Sequence, residues 1–232
     1  MQPVARLTLR ALAGVSFSVE PGEAVALIGE NGAGKSTLLR VLATLILPSR
    51  GQAEISGCDV VSDGAGARKQ LGYYTSGDEG FYGRLTGREN LRLFATMNNL
   101  MRREASRRID ELAELLGMDE ILERQSRTYS TGMLQRLGLA RSLLHAPAVL
   151  LLDEPTRSLD PLAAVEFRRF LKDDIVGRLG TTLLLPPTHS AKLKKWQVEL
   201  YYLPKDASLR SIPRAVSVHR QARPICRELS NT

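Results

Sequence analysis

The sequence predicts an α/β fold, a parallel sheet with an α-helical segment inserted into it. Three observations carry this. Short continuous apolar runs, AVALI at Ala24–Ile28 and VLLL at Val149–Leu152, suit strands buried on both faces. Stretches of helical period alternate with these runs, as parallel strands require of their connections. From about Leu85 to His145 the strand pattern stops and helical periodicity takes over.

Taken in chain order, Val15–Val19 reads as a strand and Pro21-Gly22 as the turn after it. Ala24–Ile28 is the first buried strand. The glycine-rich stretch GENGAGKST follows at 29–37, and then STLLRVLATLIL, expected to be a helix ended by Pro48. Gln52–Ser56 reads as a strand closed by Gly57, Ala65–Gln70 as a helix and Leu71–Tyr74 as a strand. Thr86 and Glu89 fit a capping box. Ile109, Leu112, Leu115 and Leu116 mark the buried face of a helix over Glu104–Leu116, with Gly117 as its stop. Another helix is expected over Gly132–Leu144, then a strand at Val149–Leu152 and a helix at Pro161–Lys172. Thr181–Leu185 and Val198–Leu203 read as strands, and the pattern fades after Ile212.

Composition narrows the class. The chain has 232 residues, 43% hydrophobic and 25% charged, ordinary for a globular protein. No apolar run approaches the roughly 18–20 residues that span a bilayer, and the N-terminus lacks a secretory pattern. Cys58 and Cys226 are too few for a disulfide framework or CxxC metal site, so a reducing cytosol is the expected compartment. The net charge of +7 is uneven: from Ser190 onward nine Lys/Arg face three Asp/Glu, which leaves the body near neutral. The basic total therefore describes a tail, expected to be solvated or disordered, and does not point to nucleic acid.

The stretch at 29–37 meets G-x-x-x-x-G-K-[ST] with Gly29, Gly34, Lys35 and Ser36, between a buried strand and a helix. Glycines let backbone N–H groups turn inward, and a helix start adds free amides and partial positive charge. Lys35 supplies a full charge for outer phosphates, and the Ser36 hydroxyl suits Mg²⁺. Gly29, Asn31, Gly32, Gly34, Lys35, Ser36 and Thr37 are the candidate nucleotide-binding residues. VLLLDEP at 149–155 places Asp153 and Glu154 at the C-terminal end of a buried strand, where ligands sit in open α/β sheets. Asp153 suits a Mg²⁺ contact and Glu154 can orient or deprotonate a water.

YSTGMLQR at 129–136, just ahead of LARSLLHAPAVLLLDEPTRSLDP, resembles the signature of the ATP-binding-cassette ATPases, in particular exporter-type members. Ser130 and Gly132 fall on the signature's serine and second glycine, and Gln135-Arg136 on the QR that follows. Ser158-Leu159-Asp160 resembles the D-loop, Thr188-His189 the switch histidine, and LTGRENL at 85–91 the start of the helical subdomain. The resemblance covers roughly residues 11–190. It implies a P-loop NTPase (RecA-like) core with a small antiparallel β subdomain and an inserted α-helical subdomain. The expected domain is 1–212, with core at 1–74 and 147–212, helical subdomain at 75–146, and an atypical basic tail at 213–232. It also implies ATP and Mg²⁺ as ligands, with Ser36 and Asp153 at the metal and Glu154 and His189 catalytic. Two such domains would close head to tail, each ATP lying between one cradle and the other chain's Ser130 and Gly132. The implied partners are a second ATPase subunit and a separate membrane permease, reached from the cytoplasmic face, and no nucleic acid is expected.

The pattern has departures. Thr131 and Met133 stand where Gly and Gln are common. Where a Q-loop glutamine is expected after LGYY the chain has Thr75-Ser76-Gly77-Asp78-Glu79, with Ser76 nearest the place and Asp78 or Glu79 able to supply an oxygen instead. No aromatic near Arg6 offers to stack on adenine, which leaves an apolar side chain such as Leu7. Pro186-Pro187 precede the histidine and SAKLKKW replaces the usual acidic helix. These motivate alternatives: a non-hydrolysing or degenerate nucleotide-binding protein, or a soluble cassette ATPase acting on nucleic acid. The cargo is not encoded in this chain, since its specificity would lie in the permease.

Overall fold

The computed structural model describes Leu12, residues 15–76, 80–157 and 159–186, and the backbone of two strands beyond them. The elements run β1 (Ser18–Val19), β2 (Ala24–Ile28), α1 (Lys35–Leu42), β3 (Gln52–Ile55), β4 (Cys58–Asp59), α2 (Gly64–Gln70) and β5 (Leu71–Thr75). Three helices follow, α3 (Gly87–Met97), α4 (Arg102–Leu116) and α5 (Thr131–Leu143). The chain then returns to β6 (Val149–Asp153), α6 (Pro161–Phe170), β7 (Thr182–Leu185), β8 (Glu199–Tyr202) and β9 (Ala215–Val218).

The main sheet has the order β5-β6-β7-β2-β8, and every pairing in it is parallel. Strands β2, β6 and β7 are buried on both faces, and side-chain alternation divides them between two cores. In β6, Leu150 and Leu152 join the core under the helical segment, while Val149 and Leu151 join the core under α1. In β7, Leu183 and Leu185 face the first core and Leu184 the second. The first core takes Leu91 of α3, Ile109 and Leu112 of α4, and Leu137 and Leu143 of α5. The fit of α5 on β5 is close: a Cβ on Gly72 would run into the Ser142 carbonyl, and one on Gly138 would lie 2.9 Å from the Tyr74 ring.

The capping box forms as expected. The Thr86 hydroxyl accepts from the Glu89 N–H and the Glu89 carboxylate accepts from the Thr86 N–H. Gly117 ends α4 in the left-handed conformation at φ 60°. Other boundaries differ from the expectation. Helix α1 stops at Leu42, not Pro48, because Thr44 turns left-handed at φ 60° and the Arg40 carbonyl accepts from both Leu45 and Ile46 N–H. Leu45, Ile46 and Leu47 are left exposed, so their apolar character continued the helical pattern without extending the helix. Beyond α6 the helix does not end at Lys172 but widens into π-type turns over Leu171–Arg178.

The small sheet has the order β1-β9-β3-β4 and is mixed rather than antiparallel. Only the adjacent strands β3 and β4 pair antiparallel, while β9 lies parallel to both β1 and β3. A neighbour so distant in sequence can enter in either direction, because a long connection does not force a hairpin. β9 falls beyond Ile212, where the sequence showed no pattern. Among the described residues no helix is long and apolar enough to cross a membrane.

Candidate functional site

Strand β2 is buried and ends at Ile28, and its exit delivers the chain into the 29–34 loop. Gly32 and Gly34 adopt φ 84° and 88°, values that L side chains rarely take, so glycine is required there by the backbone. A Cβ on Gly32 would meet nothing within 4 Å, so conformation and not crowding fixes the choice. Gly34 is the N-cap of α1 and no side chain caps the helix, so its first amides are offered to the loop. The Lys35 ammonium donates to the carbonyls of Gly29 at 2.7 Å and Glu30 at 2.8 Å, which draws the loop around the charge. Asn31 and Gly32 are exposed at the crest, and Thr37 is half-buried in the first turn of α1.

The acidic pair sits beside this loop. Asp153, the last residue of β6, is buried, and its Oδ1 accepts from the Ser36 hydroxyl at 2.9 Å. That bond joins two motifs 117 residues apart. The Tyr73 hydroxyl lies 3.5 Å from Asp153 Oδ2. Burial pushes the Tyr73 phenol above its ordinary value and the negative Asp153 adds to the rise, while Arg40 opposes it. Glu154 is exposed, has φ 50°, and pairs with Arg157 Nη1 at 3.1 Å through its Oε2. A non-glycine residue in the left-handed region stores strain, and here it turns the carboxylate of Glu154 away from the buried strand. At the Q-loop place, the Ser76 N–H donates to the Asp153 carbonyl at 3.3 Å.

Ser130 and Gly132 form a different group, at the N-terminus of α5. Ser130 is the N-cap and its hydroxyl accepts from Met133 N–H at 3.3 Å. The Met133 sulfur accepts from the Ser130 N–H at 3.4 Å, so the thioether takes the place that a glutamine oxygen holds in a capping box. Gly132 has open space where a Cβ would be. The described hydrogen bonds join neither Ser130 nor Gly132 to the cradle. Thr188 and His189, Ser158, Gly77–Glu79, Arg6 and Leu7 lie outside the described residues.

Several working residues had no individual role in the sequence. Gln135 Nε2 donates to the Pro155 carbonyl at 2.6 Å, tying α5 to the turn after Glu154. Arg136 donates to the Gly117 carbonyl and closes the end of α4. Asp160 caps α6 by accepting from Leu162 and Ala163 N–H. Buried Asn90 accepts from Tyr82 N–H and donates to the carbonyls of Tyr82, Leu85 and Thr86, which fixes the segment entering α3. Only the motifs around Gln135, Arg136, Asp160 and Asn90 gave a signal, and none of them gave the residue's own bond.

Comparison with known proteins agrees with this geometry. The family model described as ABC transporter matches residues 12–157. The ABC transporter ATP-binding protein NatA of Bacillus subtilis is 39% identical over 164 residues, covering 71% of this chain and 67% of that protein. The daunorubicin resistance ATP-binding protein DrrA3 of Streptomyces coeruleorubidus is 42% identical over 179 residues, covering 76% of this chain and 55% of that protein. The chain spans only about half the length of several such relatives. In fold, it is similar to the ATP-binding cassette MJ0796 in a dimeric post-hydrolysis state bound to ADP and Pi. The TM-score is 0.72 at 22% identity, over 88% of this chain and 90% of that one. A strand–cradle–helix, an acidic strand end bonded to it, and a serine-capped helix ahead of that strand thus occur together in one fold. The chain belongs to the ATP-binding-cassette transporter family and carries its ATP-binding ATPase domain.

Proposed function

We propose that this chain hydrolyses Mg²⁺-ATP and uses the cycle to drive export through a separate membrane permease. The observation that carries this is the Ser36–Asp153 bond at 2.9 Å, which brings the phosphate cradle and the acidic strand end to one point. Their hydroxyl and carboxylate oxygens are the hard donors that Mg²⁺ prefers, and Ser36 and Asp153 would hold it. Bound there, the cation would neutralise charge building on the phosphates. The amides at the start of α1 bind the same phosphates, and the Lys35 ammonium exchanges its two loop carbonyls for phosphate oxygens. Glu154, turned outward by its backbone, orients the attacking water and accepts its proton. His189 is assigned to the γ-phosphate side on the family resemblance.

Ser130 and Gly132 present a second helix N-terminus, suited to the γ-phosphate held by another chain. The names of NatA and DrrA3 describe ATP-binding proteins, the first of an ABC transporter and the second of daunorubicin resistance. They support a role as one of two ATPase subunits, peripheral on the cytoplasmic face of the membrane, docked through the helical segment. ATPase assay of the purified chain beside Glu154→Gln tests the chemistry. Removal of the base is expected to lower turnover by about 10²-fold or more. Equal turnover in both chains would remove Glu154 from this role. ATP binding without any phosphate release in the presence of a permease would favour the non-hydrolysing reading, motivated by the missing Q-loop glutamine and the atypical C-terminal segment.

A further inference from the structure

We propose that Tyr73 is a positioning residue for Asp153, fixing the outer carboxylate oxygen while Ser36 bonds the inner one. The inference rests on the Mg²⁺-ATP reading of this site and names a residue to which the motifs assign no role.

The geometry joins Ser36 of α1, Asp153 of β6 and Tyr73 of β5. Ser36 donates to Asp153 Oδ1 at 2.9 Å. The Tyr73 hydroxyl lies 3.5 Å from Asp153 Oδ2. Ser36 thereby ties α1 to one carboxylate oxygen, and the phenol of Tyr73 stands at the other.

At 3.5 Å the phenol–carboxylate contact is longer than a formed hydrogen bond, and contacts of this kind in unliganded sites tighten when the site is loaded. A carboxylate gripped at one oxygen still swings about its last torsion. Gripped at both, it offers its remaining lone pairs in one direction, and that preorganisation matters at a cation demanding near-octahedral geometry. Strand pairing fixes the phenol's position. Tyr73 pairs with Leu151 and Thr75 with Asp153 in the parallel β5–β6 register, so Tyr73 precedes the acidic strand end by one pleat on the α1 side of the sheet.

The test is Tyr73→Phe, which keeps the ring and removes only the hydroxyl. Mn²⁺ binding to the full chain loaded with a non-hydrolysable ATP analogue is followed by electron paramagnetic resonance, beside a thermal melt. Affinity for Mn²⁺ is expected to fall by about 3- to 10-fold, the effect of one lost hydrogen bond, with the melting temperature close to wild type. Wild-type Mn²⁺ affinity in Tyr73→Phe overturns the proposal. Should Tyr73→Phe fail to fold, Tyr73→Met, which keeps apolar bulk without a donor, takes its place: wild-type affinity there overturns the proposal equally, and a fall supports it. If the wild-type chain binds the analogue but no Mn²⁺, the positioning role falls while the nucleotide site stands. If it binds neither, the Mg²⁺-ATP reading falls with it.

Discussion

Glu154 joins two properties that pull apart. Its φ of 50° is costly for a residue with a Cβ, by roughly 1–2 kcal/mol, yet it throws the carboxylate clear of the buried strand end. The sequence DEP offers no sign of that strain, because a positive φ comes from the turn that Pro155 and Arg157 impose afterwards. Strain and chemistry are separable by substitution. Glu154→Gly is expected to melt about 2–4 °C above Glu154→Ala, since only glycine relaxes the backbone, while both lose turnover. Differential scanning calorimetry of the two variants decides it, and an alanine variant at least as stable as the glycine one would mean that the backbone there is unstrained. Lys35, Ser36 and Asp153, by contrast, were legible as residues, because strand–loop–helix context and spacing carry their chemistry. Tyr73 was not: its relation to Asp153 exists only once β5 and β6 pair.

Among the elements, α5 shows how a departure from the family pattern is absorbed. Its N-terminal box survives with a sulfur acceptor, a weaker one than a carboxamide oxygen. Met133→Gln is expected to strengthen the cap by about 0.5–1 kcal/mol and raise the melting temperature by roughly 1–4 °C. A lower melting temperature would show that the packing of Met133 against the helical core outweighs its capping role. Element existence was readable wherever one local device sufficed: the box at Thr86 and Glu89, the stop at Gly117, the buried runs of β2 and β6. The end of α1 was not, because apolar Leu45–Leu47 continue the period and the left-handed turn at Thr44 carries no glycine or proline to announce it. The mixed small sheet was illegible for a related reason. Its parallel pairs depend on β9, far along the chain, and no local pattern encodes such a neighbour.

Across the whole molecule, the helical segment and the sheet meet at a half-buried histidine. His145, just past α5, bonds the Leu71 carbonyl at the start of β5 through Nε2, and its Nδ1 is buried without a partner. Burial holds the imidazole below its ordinary value, neighbouring Arg108 adds to that, and the Leu71 bond opposes it. Arg108 itself reaches from α4 to the Leu143 carbonyl, so a proton on His145 would set two cations together at this junction. The unfolded chain then binds the proton more readily than the folded one. Stability contributed by neutral His145 is complete above the ordinary value near 6.5 and is lost as pH falls through the lower folded value. Melting curves between pH 8 and 5 should fall more steeply for wild type than for His145→Gln, and parallel curves would clear His145 of the effect.

The bond from Gln135 to the Pro155 carbonyl has a mechanical corollary. At 2.6 Å it has no slack, so α5 cannot tilt without either snapping it or dragging the proline turn along. The carboxylate proposed as the base, Glu154, hangs on that turn by a single peptide link. The posture of a helix outside the cradle is therefore metered at Glu154, by a route that does not run through the cradle at all.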